Sequence, residues 1–275
     1  MGRSEPLQKR RLRSDATRIY ARRERYAVPA LDKAMEVLDL LGGSASGLTV
    51  SEIGEKLGRS VGEIYRVVMS LEDIQLIRRE EGERDRYGLS LTLFEWAHRN
   101  LPTERLPKLA QPVMDRVALE TEQSCQLAVW QEFSVLVIAQ ARSPLALQFD
   151  VRVGTRLPAQ DSSAGLVILA HMPSAALDPI LASSDPAARA TLKLRLDEIR
   201  RSGRDMMKNP VVPDITDITA PIFDHRGNVA AALAIPYLGQ LYADVSIAEC
   251  EATLILAAQT LSEALGGANF TTSQA

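Results

Sequence analysis

Residues 48–87 read LTVSEIGEKLGRSVGEIYRVVMSLEDIQLIRREEGERDRY, and the predicted fold of the first part of the chain follows from them. It contains a short amphipathic run over 52–57, a second one over 61–72, and a charged tip over 78–86. Two short helices joined by a tight turn and followed by a hairpin are typical of a winged helix-turn-helix. The stretch therefore predicts a DNA-binding protein.

The second of these helices is the predicted recognition helix, whose first turns reach base edges in the major groove. Gly58 permits the turn before it, and Thr49 or Ser51 caps the preceding helix. Ser60 is the predicted N-cap of the recognition helix, and Glu63 either completes a capping box there or contacts bases. The predicted DNA contacts are Thr49, Arg59, Ser60, Gly62, Glu63, Tyr65, Arg66, Arg84 and Arg86.

Two charged segments flank the helices. The tip over 78–86 holds four arginines and four acids, so its net charge is zero. Either the arrangement of its arginines lets it bind DNA phosphates despite its zero net charge, or it is a solvated hairpin. Residues 1–27 carry nine arginines and lysines against three acids, a net +6, and since the whole chain has a formal charge of −3, the remainder carries −9. We interpret residues 1–27 as a basic arm on DNA phosphates, or else as a solubilising tail.

Length and composition are typical of a cytoplasmic protein with about two domains. The chain has 275 residues, and a domain usually holds roughly 100–200. No apolar run approaches the roughly 20 residues that span a bilayer, and the arginine-rich start is unlike a secretory signal. Cys125 and Cys250 are far apart in the sequence, which argues against a disulfide framework and against a zinc cluster.

The second half of the chain mixes strand-like and helix-like segments. The predicted strands are 126–130, 135–139, 146–151, 215–223 and 229–235, and the predicted helices are 106–120, 164–171, 192–201 and 248–265. This mixture predicts an α+β domain around an antiparallel sheet. The segment Asp161-Ser162-Ser163-Ala164-Gly165 begins one of the helices, where free N–H groups and a partial positive charge suit a small carboxylate. An ordinary N-cap is the alternative.

Two ordered sets of residues resemble the IclR-type transcriptional regulators over roughly residues 28–265. The first set is Ala30-Leu31, Val37-Leu38, Leu48-Thr49, Glu52-Ile53, Leu57-Gly58, Arg66, Leu71, Arg78-Arg79 and Tyr87-Gly88-Leu89. The second set is 153–158, 163–165, 169–170, 199–203, 220–224 and 227–233. The chain departs from the family pattern at Gly62-Glu63, where relatives often carry Ser-Thr, and at Leu166, where they usually carry Lys. The base contacts of relatives therefore do not transfer.

The resemblance implies a winged helix-turn-helix domain over 28–90, a linker helix over 91–105 and a GAF-like effector-binding domain over 106–270. It also places a small organic effector between the start of one helix and two strands. The implied effector contacts are Leu157, Asp161, Ser162, Ser163, Ala164, Gly165, Ile215, Asp217, Ala234 and Pro236. A buried Asp217 disfavours an anionic ligand unless it is paired. Aromatic acids, sugar acids and other small compounds all stay open.

The linker carries an apolar stripe of Leu91, Leu93, Phe94, Trp96 and Ala97. Such a stripe packs either against the winged domain or against a second subunit. The resemblance implies that the stripe helps the protein to dimerise. A protein that binds two DNA half-sites also needs two DNA-binding domains, one from each subunit. We expect a homodimer or a tetramer on double-stranded operator DNA, with no cofactor, no metal and no membrane.

These patterns together predict an effector-controlled regulator of a catabolic operon. One alternative is a dimeric sensor without sequence-specific DNA binding. The other is a hydrolase-like enzyme, whose catalytic set would be Asp161, Ser162 and His225. The chain has no GxSxG, GxGxxG, P-loop or HExxH motif. Asp224-His225 is typical of a hairpin turn, so the enzyme is the weaker alternative.

Overall fold

The computed structural model describes residues 28–80, 85–99, 102–182, 185–240 and 244–267. The predicted basic arm and Arg84 lie outside these residues. The chain divides into two compact units, unit 1 over Met1–Thr103 and unit 2 over Glu104–Ala275. None of the helices within the described ranges is long and apolar enough to cross a membrane.

Unit 1 is a winged helix-turn-helix, as predicted. Its elements are α1 (Pro29–Gly42), β1 (Leu48–Thr49), α2 (Val50–Leu57), α3 (Val61–Asp73), β2 (Ile77–Arg79), β3 (Arg86–Leu89) and α4 (Thr92–Arg99). The strands form a sheet in the order β1-β3-β2, in which Leu48 pairs with Tyr87 and Ile77 with Leu89. Helix α3 buries Ile64 and Val68 at a four-residue spacing against α1 and α2, which is the helical period expected of a core face.

The turn between α2 and α3 follows from local chemistry. Gly58 ends α2 in the left-handed conformation with φ of 66°, which costs glycine no steric clash. Thr49 begins α2 with a complete capping box, in which its side chain accepts from the Glu52 N–H and Glu52 reaches back to the Thr49 N–H. Ser60 caps α3 through the Glu63 N–H. The capping box predicted for Ser60 and Glu63 is incomplete, because the Glu63 carboxylate binds Lys33 and Arg59 instead.

Unit 2 is an α+β domain around one antiparallel sheet, which confirms the predicted fold class. Its helices are α5 (Pro102–Thr121), α6 (Ser163–His171), α7 (Ser174–Ala182), α8 (Pro186–Ser202) and α9 (Ile247–Ala264). Its strands are β4 (Cys125–Gln131), β5 (Ser134–Ala141), β6 (Arg156–Pro158), β7 (Asp205–Lys208), β8 (Ile215–Phe223) and β9 (Val229–Leu238). The sheet order is β6-β5-β4-β9-β8-β7. Helices α5 and α9 share a core with one face of the sheet, and α6, α7 and α8 with the other.

Three features of unit 2 differ from the sequence prediction. The predicted strand over 146–151 is wrong: these residues form a loop, and β6 follows it at Arg156–Pro158. The loop is held by side chains, since the Ser124 hydroxyl donates to Asp150 at 2.6 Å and the Ser143 N–H donates to the Ser124 hydroxyl at 3.2 Å. Helix α8 begins six residues before its predicted start, because Asp185 caps it. Helix α7 and strand β7 were not predicted.

The apolar stripe of the linker divides between a buried and an exposed side. Leu93 packs against the core of unit 1. Leu91, Phe94 and Trp96 are 72%, 59% and 52% exposed. These three side chains are therefore not buried against the winged domain.

Candidate functional site

The first two turns of α3 present an open polar face. Gly62 and Arg66 are exposed, and Tyr65 is 53% exposed. No atom lies within 4 Å of the position that a Cβ would take at Gly62. Arg66 has no ion pair with any residue within the described ranges. A groove of about 700 Å³ runs beside this face, between the starts of α1 and α3, and Gly62 and Arg66 both line it. The Tyr65 and Arg66 side chains and the Gly62 backbone are therefore free to meet a ligand such as DNA.

Arg59 and Glu63 belong to an ion-pair cluster that joins α1 to α3. The Arg59 guanidinium donates to both carboxylate oxygens of Glu36, at 2.9 and 3.1 Å, and to Glu63 at 3.1 Å. The Lys33 ammonium lies 2.5 Å from the same Glu63 oxygen. Lys33 and then Arg59 lower the pKa of Glu63, and Glu36 raises that of Arg59. With two cations and two anions the cluster is neutral. Its charges are engaged within the protein rather than free for DNA.

Thr49 and Arg86 are engaged in a second cluster, which ties the wing to α2. Arg86 on β3 donates to both carboxylate oxygens of Glu52, at 3.2 and 3.1 Å, and to the Gly47 carbonyl at 2.6 Å. The Thr49 backbone N–H and then the Arg86 charge lower the pKa of Glu52. Of the predicted DNA contacts, Thr49, Arg59, Ser60, Glu63 and Arg86 thus have structural partners, while Gly62, Tyr65 and Arg66 face outwards.

In unit 2 the start of α6 lies against the loop that follows β6. The Ser162 hydroxyl accepts from the Gly165 N–H at 3.2 Å and donates to the Pro158 carbonyl at 2.9 Å. A Cβ at Gly165 would lie 2.2 Å from the Ala159 carbonyl oxygen. Gly165 is among the predicted effector contacts, but the nearest neighbour of its Cβ position is this backbone. The Ser163 and Ala164 N–H groups have no hydrogen-bond partner among the described residues, so they are the donors left at this helix start.

A buried polar network fixes α6 to the sheet. The Ser163 hydroxyl lies 2.7 Å from the Asp205 carboxylate and 2.8 Å from the Thr219 hydroxyl. Arg195 on α8 forms a salt bridge with Asp205 and donates to the Met206 carbonyl at 3.3 Å. Burial raises the pKa of Asp205, while the Ser163 hydroxyl and Arg195 act in the opposite direction. The Ser163 side chain is therefore occupied by the protein. The sequence prediction missed Asp205, Thr219 and Arg195, because only strand register brings them together.

The opposite wall comes from β8 and β9. Asp217 is 8% exposed, and its carboxylate accepts two contacts from the Asn209 amide, at 3.0 and 3.2 Å. Burial raises the pKa of Asp217 to about 6, with a smaller contribution from the charge of Asp205. Ile215 and Ala234 are fully buried, and Pro236 pairs with Asp217 in the sheet. The predicted wall residues thus share two adjacent strands.

The remaining predicted ligand contacts lie nearby along the chain. Leu157 on β6 packs against the core under α6, and Asp161 precedes the helix as a half-buried side chain. Ala164 is buried within α6. The start of α6 therefore offers backbone donors and buried apolar contacts, with the two serine hydroxyls already engaged.

The three residues of the hydrolase-like alternative are not brought together. Ser162 precedes α6, and His171 at the other end of this helix stacks edge-on against Phe223 at 5.2 Å. His225 follows Phe223 by two residues, in the turn between β8 and β9, where its ring accepts from the Arg226 guanidinium at 3.3 Å. The nine residues of α6 span about 13 Å at the usual helical rise, so His225 is far from the Ser162 hydroxyl.

The described part of the chain contains no group of three or more His, Cys, Asp or Glu side chains that could hold a metal ion. Cys125 and Cys250 are buried and not joined to each other. Burial raises the pKa of both thiols, that of Cys250 to about 11. Low-pKa, accessible thiols are the reactive ones, so neither cysteine has the setting of a nucleophile.

Comparison with known proteins accounts for both units. Residues 30–81 match the family model described as the IclR helix-turn-helix domain, and residues 98–263 match the one described as bacterial transcriptional regulator IclR C-terminal. The HTH-type transcriptional regulator BhcR of Paracoccus denitrificans is 26% identical over 246 residues, which cover 86% of each chain. The HTH-type transcriptional regulator KdgR of Escherichia coli is 25% identical over 248 residues, or 87% of this chain and 94% of that protein.

Solved structures agree with these matches. An IclR homolog from Microbacterium hydrocarbonoxydans, crystallised in complex with 4-hydroxybenzoate, is similar with a TM-score of 0.72 and 26% identity. The similarity covers 86% of this chain and 98% of that one. The Thermotoga maritima IclR structure has the same fold, with a TM-score of 0.66 and 24% identity over 86% of this chain and 98% of that one.

Proposed function

The chain belongs to the IclR family of bacterial transcriptional regulators, and we propose that it reads operator DNA with Gly62, Tyr65 and Arg66 of α3. The observation that carries this proposal is the division of the α3 start into engaged and free side chains. Arg59 and Glu63 are held by Glu36 and Lys33. The exposed arginine at Arg66 has the geometry to take guanine or a phosphate.

Further contacts follow from the same arrangement. Thr49, Ser60 and Arg86 hold the helix starts and the wing in place. They contribute to DNA binding by positioning α3 and the wing. Arg84 belongs to the wing tip, whose arginines are matched by acids, and we propose it as a phosphate contact. The DNA-binding domain comprises residues 28–90, the linker 91–105 and the effector-binding domain 106–270.

A binding experiment with a matched pair of variants tests the DNA proposal. Fluorescence anisotropy would compare a labelled duplex from the intergenic DNA upstream of the gene with a random duplex of equal length. We expect Arg66→Ala to weaken binding to the specific duplex roughly ten- to hundredfold, the usual worth of one arginine contact. Arg201→Ala removes the same charge from an exposed site on α8 and should leave binding unchanged.

Two results would refute the DNA proposal. Equal affinity of the wild-type protein for the specific and random duplexes would favour the alternative of a sensor without sequence-specific binding. Equal effects of Arg66→Ala and Arg201→Ala would show that only net charge matters. Because salt weakens all phosphate contacts, the comparison is made at one fixed ionic strength.

For unit 2 we propose a small-molecule effector between the start of α6 and strands β8 and β9. The Ser163 and Ala164 N–H groups and the buried Asp217 support this location. The effector acts by population shift: it binds one arrangement of two winged domains better than another, and so changes their fit to two half-sites. By linkage, DNA must change the effector's affinity by the same factor. A catabolic operon is the proposed target, in a cytoplasmic setting where the DNA lies.

The second copy in this mechanism is a homodimer partner. Leu91, Phe94 and Trp96 are exposed apolar side chains on one segment, and we propose that they pack against the same segment of a second chain. Sedimentation of the full-length protein should give a dimer or a tetramer. Replacing Trp96 with serine should shift it towards the monomer, and an unchanged distribution would refute this interface.

A further inference from the structure

Five residues form a straight row across the sheet of unit 2. The register pairs Asp205 with Thr219, Thr219 with Ala234, Ala234 with Gln126, and Gln126 with Gln140. Their neighbours in sequence pack into the core shared with α5 and α9. Since successive side chains of a strand point to opposite faces, all five residues of the row face α6. The row therefore lies on the same face as the proposed effector site.

The two ends of this row differ in their hydrogen bonding. At one end Asp205 and Thr219 are bound by the Ser163 hydroxyl. At the other end the Gln126 Oε1 and Gln140 Nε2 atoms are buried, and neither has a hydrogen-bond partner among the described residues. Gln126 is only 6% exposed. A buried polar atom without a partner is costly, so a molecule that bonds to both atoms would be stabilised at this end of the row.

The charges around the row restrict what that molecule is. The buried carboxyl groups of the described residues are Asp205 and Asp217, and no lysine or arginine is buried. Arg195, which reaches this face, is already bound by Asp205 and Glu198. An anionic ligand would thus approach two carboxyl groups without a free cation, which is unfavourable. Besides the Ser163 and Ala164 N–H groups, the unpaired buried side-chain atoms of the described residues are an acceptor at Gln126 and a donor at Gln140. Together these two atoms match a neutral group that both donates and accepts.

We propose that the effector is a neutral compound with a primary amide or hydroxyl group, which donates to Gln126 Oε1 and accepts from Gln140 Nε2. This inference rests on the proposed location of the effector in unit 2, and it extends that site from β8 and β9 across β4 to β5. It separates this protein from the IclR homolog crystallised with 4-hydroxybenzoate, and it makes Gln126 and Gln140 the residues that determine ligand class.

The first test compares two buried glutamines that differ in their partners. Gln123 is 3% exposed, and its amide accepts from the Leu238 N–H at 2.9 Å and donates to the Leu238 carbonyl at 3.3 Å. Gln123→Leu should lower the melting temperature, since it removes both bonds. Gln126→Leu replaces an amide whose oxygen lacks a partner, and should leave the melting temperature unchanged or raise it. Equal losses in the two variants would show that Gln126 is already satisfied, and would overturn the proposal.

The second test measures ligand class directly. Calorimetry of the full-length protein would use 4-hydroxybenzamide and 4-hydroxybenzoate, which share a ring and a hydroxyl and differ in charge. We expect 4-hydroxybenzamide to bind more tightly, and Gln126→Leu to weaken it roughly tenfold, the worth of about one buried hydrogen bond.

Three results of the calorimetry would contradict the inference: tighter binding of 4-hydroxybenzoate, no binding of 4-hydroxybenzamide, or an unchanged affinity in Gln126→Leu. Each is distinguishable from failure of the proposed function. DNA binding without any compound, measured by anisotropy, would persist if only the ligand class were wrong, and would be missing if the proposed function were wrong.

Discussion

Substituting alanine at two glycines of similar position should have opposite effects on stability. Gly165 lies in the first turn of α6 and Gly62 in the first turn of α3. At Gly165 a Cβ would lie 2.2, 2.4 and 2.6 Å from three backbone atoms of Ala159, distances at which the loop or the helix must move. At Gly62 the same Cβ would meet nothing within 4 Å. The chemical change is the same at both positions, so the surroundings of each glycine decide whether alanine raises or lowers the unfolding free energy.

The magnitude of the Gly165→Ala effect follows from two opposing contributions. Overpacking a well-packed site costs about 1–3 kcal/mol, and a clash with backbone belongs at the upper end of that range. Alanine recovers up to about 1 kcal/mol through its better helix propensity. We therefore expect a net loss of about 2 kcal/mol, or roughly 4–8 °C in melting temperature for a unit of this size. Gly62→Ala should instead gain up to about 1 kcal/mol, because only the propensity contribution remains.

Urea and thermal unfolding followed by circular dichroism would measure both variants, with separate transitions fitted for the two units. A Gly165→Ala protein as stable as the wild type would refute the reasoning. It would mean that the start of α6 is not pressed against Ala159, and that Gly165 is kept for some other reason, such as close approach of a ligand. A loss in Gly62→Ala comparable to that in Gly165→Ala would refute it as well.

Two further changes follow from the caps and the buried carboxyl groups. Thr49→Ala should destabilise unit 1 by about 1 kcal/mol in urea unfolding, because it removes the α2 cap. Thr49→Ser keeps the hydroxyl and should retain most of that stability. Equal unfolding free energies for the two variants would contradict the capping role of Thr49. Burial raises the pKa of Asp217 to about 6, whereas an unfolded aspartate releases its proton near pH 3.9. Between these two values the folded protein keeps a proton at Asp217 that the unfolded chain has lost. The unfolding free energy should therefore fall as the pH rises from about 4 to about 6. Asp217→Asn should remove on the order of 2 kcal/mol of that fall, and a pH profile unchanged by this substitution would show that Asp217 is solvated.

The fold of unit 1 could be predicted from the sequence because its signals are local. Gly58, Ser60 and the apolar spacing of α3 lie within a few residues of one another, and each acts on its own neighbours. The partners of Arg59 and Arg86 could not be predicted in the same way. Arg59 pairs with Glu36, 23 residues earlier, and Arg86 with Glu52, 34 residues earlier. Nothing in the local pattern distinguishes these arginines from the exposed Arg66.

The site in unit 2 could be predicted only in part, for the same reason. The start of α6 has a local signature, because Ser162 caps it, and the helix predicted from residue 164 begins one residue earlier. The network under α6 depends on Asp205, which lies 42 residues from Ser163, and on Thr219, which lies 56 residues away. One signal was present: Asp217 and Thr219 alternate with apolar residues in a strand that is otherwise buried, and polar residues there require partners. The earlier start of α8 was also marked, by Asp185 followed by Pro186.

The ion-pair cluster of Lys33, Glu36, Arg59 and Glu63 makes unit 1 a scaffold suited to engineering. Because these four side chains lock the start of α3 to α1, the shape of the recognition helix does not depend on the residues that face outwards. At Gly62, in the first turn, a Cβ would meet no atom within 4 Å, so a side chain can begin there without a clash. Libraries varied at Gly62, Tyr65 and Arg66 should therefore yield folded proteins with new DNA preferences, still governed by the same sensor.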